Sequence, residues 1–451
     1  MDRCVLGLLL LGYLVLGWAA GPAAAPPLAP LPRQIPQEFR TPPRYVGAAS
    51  CAAMACHGGI PPIGQSEYTV WIQRDRHARA YSALYDDLAT RIAENLGIER
   101  PEQDRRCLVC HSTAIDLVHG PKFAIEDGVS CEACHGPAER WLAPHSRPEW
   151  KQLSVSDKAA SFGMTHTKDL WTRAEICVRC HVGAPGQDVN HDLIAAGHPA
   201  LLFELDASTA NMPPHWKEPA GDLPATAAET WAIGQAVSLK ASLALLAGRA
   251  RSGPWPEFAE FDCGACHHAL GSRRWRQTSG YGPRAVGSTP WPNPHRIIME
   301  LSASSQPRPS DMGTTLGALR TLMDNAGASA TEVARAADQA LAEADRLRPL
   351  VKQNAWDGDR VRGLFVQLLI APAEPEVNHT IATHRTMALG SVFWAISRAT
   401  TPDNQFGQTW IRAVQPALDR LYHCVDDVSR FDGQEFLSEL AALRGKAGEN
   451  D

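Results

Sequence analysis

A chain of 451 residues with 44% hydrophobic and 20% charged residues describes a globular protein of two or three domains, neither disordered nor membrane-embedded throughout. Its formal net charge of −6 leaves no basic footprint, which argues against a nucleic-acid partner. No GxxxxGK(S/T), HExxH or GxSxG occurs, which lowers the prospects of nucleotide hydrolysis, zincin proteolysis and serine esterase chemistry.

Residues 1–25 read as a secretory signal: Arg3 precedes an apolar run from Val5 to Ala20, followed by small residues at Ala19–Ala25. The run is short for a membrane span, so cleavage is favoured over an uncleaved N-terminal anchor. Either way the expected location is periplasmic, with an inner-membrane tether as the alternative. Residues 26–43 are proline-rich and read as an extended linker.

The stretch from 44 to 300 holds ten of the 12 cysteines as five close pairs, and a histidine follows every pair. Chance would produce five such histidines with odds of about one in ten million. Four pairs are CxxCH: Cys107/Cys110/His111, Cys131/Cys134/His135, Cys177/Cys180/His181 and Cys263/Cys266/His267. The first is longer, Cys51/Cys56/His57. Two thiols at this spacing can form thioethers to the two vinyl groups of one haem, and the next histidine is then held beneath the ring as the proximal iron ligand. The longer gap serves if its loop bulges. Zinc would take two pairs per metal and leave one pair over, and neither zinc nor a disulfide scaffold needs the adjacent histidine. The reading is therefore five covalently attached haem c groups.

Each low-spin haem needs a second axial ligand. With eight methionines, one of them the initiator, bis-histidine ligation is the default. The candidate distal ligands are His77, His145 and His198, followed by His119, His191 and His295; His166, His215 and His268 rank lower. His379, His384 and His423 lie in the C-terminal region and read as structural.

The residues Tyr45–His57, Arg76-His77-Ala78 and Gly128-Val-Ser-Cys-Glu-Ala-Cys-His-Gly-Pro137 resemble the cytochrome c-554 family of multihaem c-type cytochromes over about residues 45–205. The resemblance implies that His77 caps the haem of His135, that His145 caps the haem of His57, and that the haem of His111 can be five-coordinate. A fifth site and a long C-terminal extension depart from the family's tetrahaem pattern.

The expected fold is mainly α: a multihaem domain over 44–300 with little regular β structure, a Ser/Pro linker over 301–312, and a helical bundle over 313–451. Helices are predicted over 67–96, 226–250, 329–353, 358–371, 375–399, 405–426 and 432–446. Cys424 carries no motif and reads as a small buried residue. Electron transfer between redox partner proteins is the leading function, and a carrier is favoured over a catalyst. The alternative is a multihaem oxidoreductase acting on a small nitrogen or sulfur compound at a five-coordinate haem, with Arg105, Arg106 and His119 as candidates around the second site.

Overall fold

The computed structural model describes residues 41–61, 65–216, 223–267, 290–293, 295, 312–325, 327–353, 358–370 and 377–448. The expected signal, nearly all of the proline-rich segment and the Ser/Pro linker lie outside the described residues. Within them the chain is mainly α, with helices and no strand.

The N-terminal part is built from short helices: α1 (Glu67–Arg74), α2 (Asp87–Leu96), α3 (Arg105–His111), α4 (Cys131–His135), α5 (Val155–Phe162), α6 (Leu170–His181), α7 (His191–Ala196) and α8 (Leu205–Asn211). The single helix expected over 67–96 does not form. The chain turns extended at Asp75 and again at Asp86. Each aspartate side chain accepts a backbone N–H just downstream, Asp75 from His77 and Asp86 from Ala89, and so starts a new turn instead of continuing the old one.

Three of the cysteine motifs lie in helices that end on their histidine: α3 on His111, α4 on His135 and α6 on His181. Helical spacing puts the two thiols of each on one face. The first motif is different. Its longer loop folds back on itself, with Cys56 N–H donating to Ala53 O at 2.8 Å and Gly58 N–H to the same oxygen at 3.0 Å. This is the bulge that the extra residues require. After α4 the chain turns at Gly136 (φ +79°), where a Cβ would lie 2.6 Å from Gly163 O. Only glycine fits that turn.

Helix α9 (Leu223–Ser252) runs through the largest core. Trp231, Leu239, Leu243 and Leu246 are fully buried along it, which matches the helix expected over 226–250. Its length and composition would suffice to cross a membrane, but 72% of its most apolar window is buried inside the protein. An all-round apolar helix of this kind is a core helix. Helix α10 (Cys263–Cys266) follows, and then α11 (Met312–Met323), α12 (Ala330–Ala344), α13 (Leu347–Gln353), α14 (Gly358–Ile370), α15 (His379–Ala399), α16 (Gln405–Cys424) and α17 (Gly433–Gly448). The helix expected over 329–353 is divided at Asp345–Arg346, after a start secured by a reciprocal Ser329–Glu332 capping box. Helices α6 and α8 pack on α9, as do α12, α13, α14 and α15. The buried apolar cluster therefore runs without interruption from Trp171 to Ala447, and Cys424 packs half-buried against it.

A buried carboxylate ties α8 to α15. Glu204 caps α8 by accepting the N–H groups of Asp206 and Ala207 and the hydroxyl of Ser391. Burial raises its pKa. Burial, helped by the charge of Glu204 and opposed by Arg398, pushes Asp206 up to about 7. A carboxyl group whose folded pKa lies above its unfolded value stabilises most below the unfolded pKa, and that stability is lost as pH rises through the folded one. Between about pH 4 and pH 7 the wild-type protein should therefore lose stability through Asp206. Denaturant midpoints at pH 5 and pH 8 test this: Asp206→Asn should lose less than wild type over the interval, and an equal loss refutes the assignment.

Candidate haem-binding sites

The structure places a second histidine ring opposite four of the motif histidines, stacked at His57 and His267 and edge-on at His181 and His111. The ring centres of His57 and His145 are 6.1 Å apart, those of His181 and His77 6.1 Å, those of His111 and His198 6.5 Å, and those of His267 and His191 6.4 Å. Direct ring packing would bring imidazoles closer. Two metal–imidazole bonds of about 2 Å each, with a further ~1 Å from each donor nitrogen to its ring centre, span about 6 Å. The gap is thus the width of one metal ion between two ligands.

The hydrogen bonds leave the correct nitrogen free. His57 Nδ1–H donates to Glu67 Oε2 at 2.9 Å, His77 Nδ1–H to Asp75 Oδ1 at 3.0 Å, His111 Nδ1–H to Ala80 O at 2.7 Å and His198 Nδ1–H to Pro199 O at 2.8 Å. His145 Nδ1 likewise faces the carbonyls of Trp141 and Leu142. Fixing the proton on Nδ1 leaves the Nε2 lone pair for a metal, and such outer partners orient ligating histidines generally. Burial lowers the pKa values of His111 and His181, and it depresses His135 to about 4. All three are then neutral at pH 7, the form that coordinates iron. The Asp75 hydrogen bond raises the pKa of His77 against its burial, so that ring is held as the more basic donor.

The cysteine motifs are neighbours as well. The side chains of Cys51 and Cys131 touch, as do those of Cys110 and Cys180, and Gln187 Nε2 donates to Cys180 Sγ at 3.0 Å and to Val109 O at 2.7 Å. None of the ten motif cysteines is disulfide-bonded. Among the described residues no three His, Cys, Asp or Glu side chains converge on one point.

Several expectations are corrected. His77 faces His181, not His135, because the break at Asp75 turns it toward the end of α6. His119 faces no motif histidine. Its backbone lies in a bridge with Tyr45, its ring stacks on Phe123 at 3.8 Å, and its Nε2–H, the nitrogen a ligand would need free, donates to Ala114 O. His295 is buried in the α9 core, where Nδ1–H donates to Gln235 Oε1 and the ring meets His384 edge-on at 4.9 Å. The groups read as lining an open second site are committed elsewhere: Arg105 pairs with Asp116 and Arg106 with Asp104, while His198 occupies the place opposite His111.

Two buried groups escaped the sequence reading. Glu132, inside the third motif, is 1% exposed and accepts the N–H groups of Val46, Gly47 and Ala138. Arg249, near the end of α9, pairs with Asp188 and Glu260 and donates to Val189 O. It thereby ties the loop before His191 to the loop before Cys263. The only sequence signals were a charge within the third motif and an arginine in the last turn of a core helix.

Two thiols and two facing imidazole nitrogens at each of four motifs make a donor set that fits a covalently attached haem c. Residues 50–136 match the family model for cytochrome c554 and c-prime, and that span carries the first three motifs. The family likeness is therefore to cytochrome c554. No curated protein and no solved structure matches the chain.

Proposed function

We propose that this protein is an exported, periplasmic electron carrier that holds five haem groups, four of them between the histidine pairs His57/His145, His181/His77, His111/His198 and His267/His191. The single observation carrying this reading is the 6.1–6.5 Å separation of those rings. The protein's own part is to hold His57, His145, His77, His111 and His198 by their Nδ1 atoms, and to bring neighbouring sites together through the Cys51–Cys131 and Cys110–Cys180 contacts. The haem supplies one-electron chemistry at the iron. Bis-histidine ligation favours lower potentials than methionine ligation would. Haem propionates add negative charge to a chain already at −6, so basic docking patches on donor and acceptor proteins are expected, with association weakened by salt.

The oxidoreductase alternative requires an open iron. The residues that would line one at the second site are engaged in other bonds, so no observation favours it there. Mass spectrometry of the mature protein should show five haem additions, and its oxidised visible and EPR spectra should be dominated by low-spin iron. Free thiols with bound zinc would defeat the proposal. A large high-spin fraction that takes up a small ligand would favour the catalytic alternative.

A further inference from the structure

Four of the five motif histidines have a partner ring; the fifth, His135, faces none of the six leading distal candidates. Its surroundings supply one from a different part of the chain. The His135 carbonyl accepts the N–H of Thr165 at 2.9 Å. Two residues on, Thr167 O accepts Arg173 Nε–H at 2.9 Å, and the Arg173 guanidinium lies over the Trp216 ring at 5.9 Å. The charge of Arg173 also bears on Cys134 and Cys177, which places it beside the third motif. His215 stands edge-on to Trp216 at 5.0 Å. Its Nδ1 is buried and has no hydrogen-bond partner. Leaving such a nitrogen unpaired costs about 1–3 kcal/mol, so a structural histidine here would normally find a donor or acceptor. His215 is also one of the two imidazoles whose charge bears on His135, the other being His57 of the adjacent first site.

We infer that His215 is the distal ligand of the haem held by Cys131, Cys134 and His135. The inference rests on the haem reading above. Under it, residues 212–216 after α8 complete the third site, and Arg173 is a positioning residue that holds Trp216, and with it His215, against that site. His166, beside Thr165, is the rival ligand.

The test uses the holoprotein. In His215→Gly, mass spectrometry should still show the wild-type number of haems, while about one-fifth of the iron moves from low to high spin in the oxidised visible and EPR spectra. Added imidazole should return that fraction to low spin. A spectrum unchanged from wild type overturns the inference, as does the same change in His166→Ala with none in His215→Gly. A wild-type protein that already holds about one-fifth of its iron high-spin overturns it too. Absence of haem from the wild-type protein would instead sink the haem reading itself, so the two failures are distinguishable.

Discussion

Replacing Glu132 with alanine should destabilise the folded protein by about 3–5 kcal/mol, because three backbone N–H groups lose their acceptor at once. The carboxylate is 1% exposed, and its two oxygens collect Val46 and Gly47 from the N-terminal segment and Ala138 from the turn after the third motif. Water cannot easily replace it there. Gly47, at φ +89° with Lys122 O against it, has no room to shift and find another partner. Glu132→Gln should cost less, since an amide oxygen still accepts and only one oxygen is lost. The measurement is the denaturant midpoint of the holoprotein. A loss below about 1 kcal/mol for Glu132→Ala would mean that the segment 44–48 is not held by this group.

Arg249→Ala should be the second severe lesion, at about 3–5 kcal/mol, by the other route to a large effect: an ion pair broken on one side. Arg249 and Glu260 are about 10% exposed, and burial already raises the Glu260 pKa against the pull of Arg249. Removing the arginine strands Glu260 and frees Asp188. The damage should be local as well as global, because Arg249 joins the loop leading to His191 with the loop leading to Cys263. The His191/His267 site should therefore loosen first, seen as a spectral change confined to one haem. Arg249→Met with Glu260→Gln should recover part of the stability. If the double variant is no better than Arg249→Ala, the stranded charge is not the cause.

The cysteine motifs were legible because thioether chemistry demands a fixed spacing, and their local form followed: a helix ending on the histidine for CxxCH, a folded-back turn for the longer first motif. Helix α9 and the later helices were legible from apolar periodicity and caps. Which histidine rings face one another was only half legible. His145 opposite His57 followed from the family resemblance, whereas His77 opposite His181 did not. Which ring faces which depends on where a helix stops, and Asp75 ended one that periodicity alone would have continued. His119 and His295 looked as eligible as His191. What separates them is which nitrogen is already bonded and whether the ring points into a 6 Å gap or into packed side chains, neither of which local sequence records.

The four imidazole pairs also interleave along the chain. His57 reaches to His145, His77 to His181, His111 to His198 and His191 to His267, so each span begins before the preceding one has closed. Cross-links arranged this way lace a polypeptide like overlapping stitches. On the proposed bis-histidine reading, no iron would gain its second ligand until roughly 75–105 further residues had arrived, and a slack stitch would leave its neighbours slack, because a link that spans a long loop restrains the open chain most. Assembly should then run from the first site toward the last in the order the chain emerges. Ligand loss at one site should also be felt in the unfolding of the next.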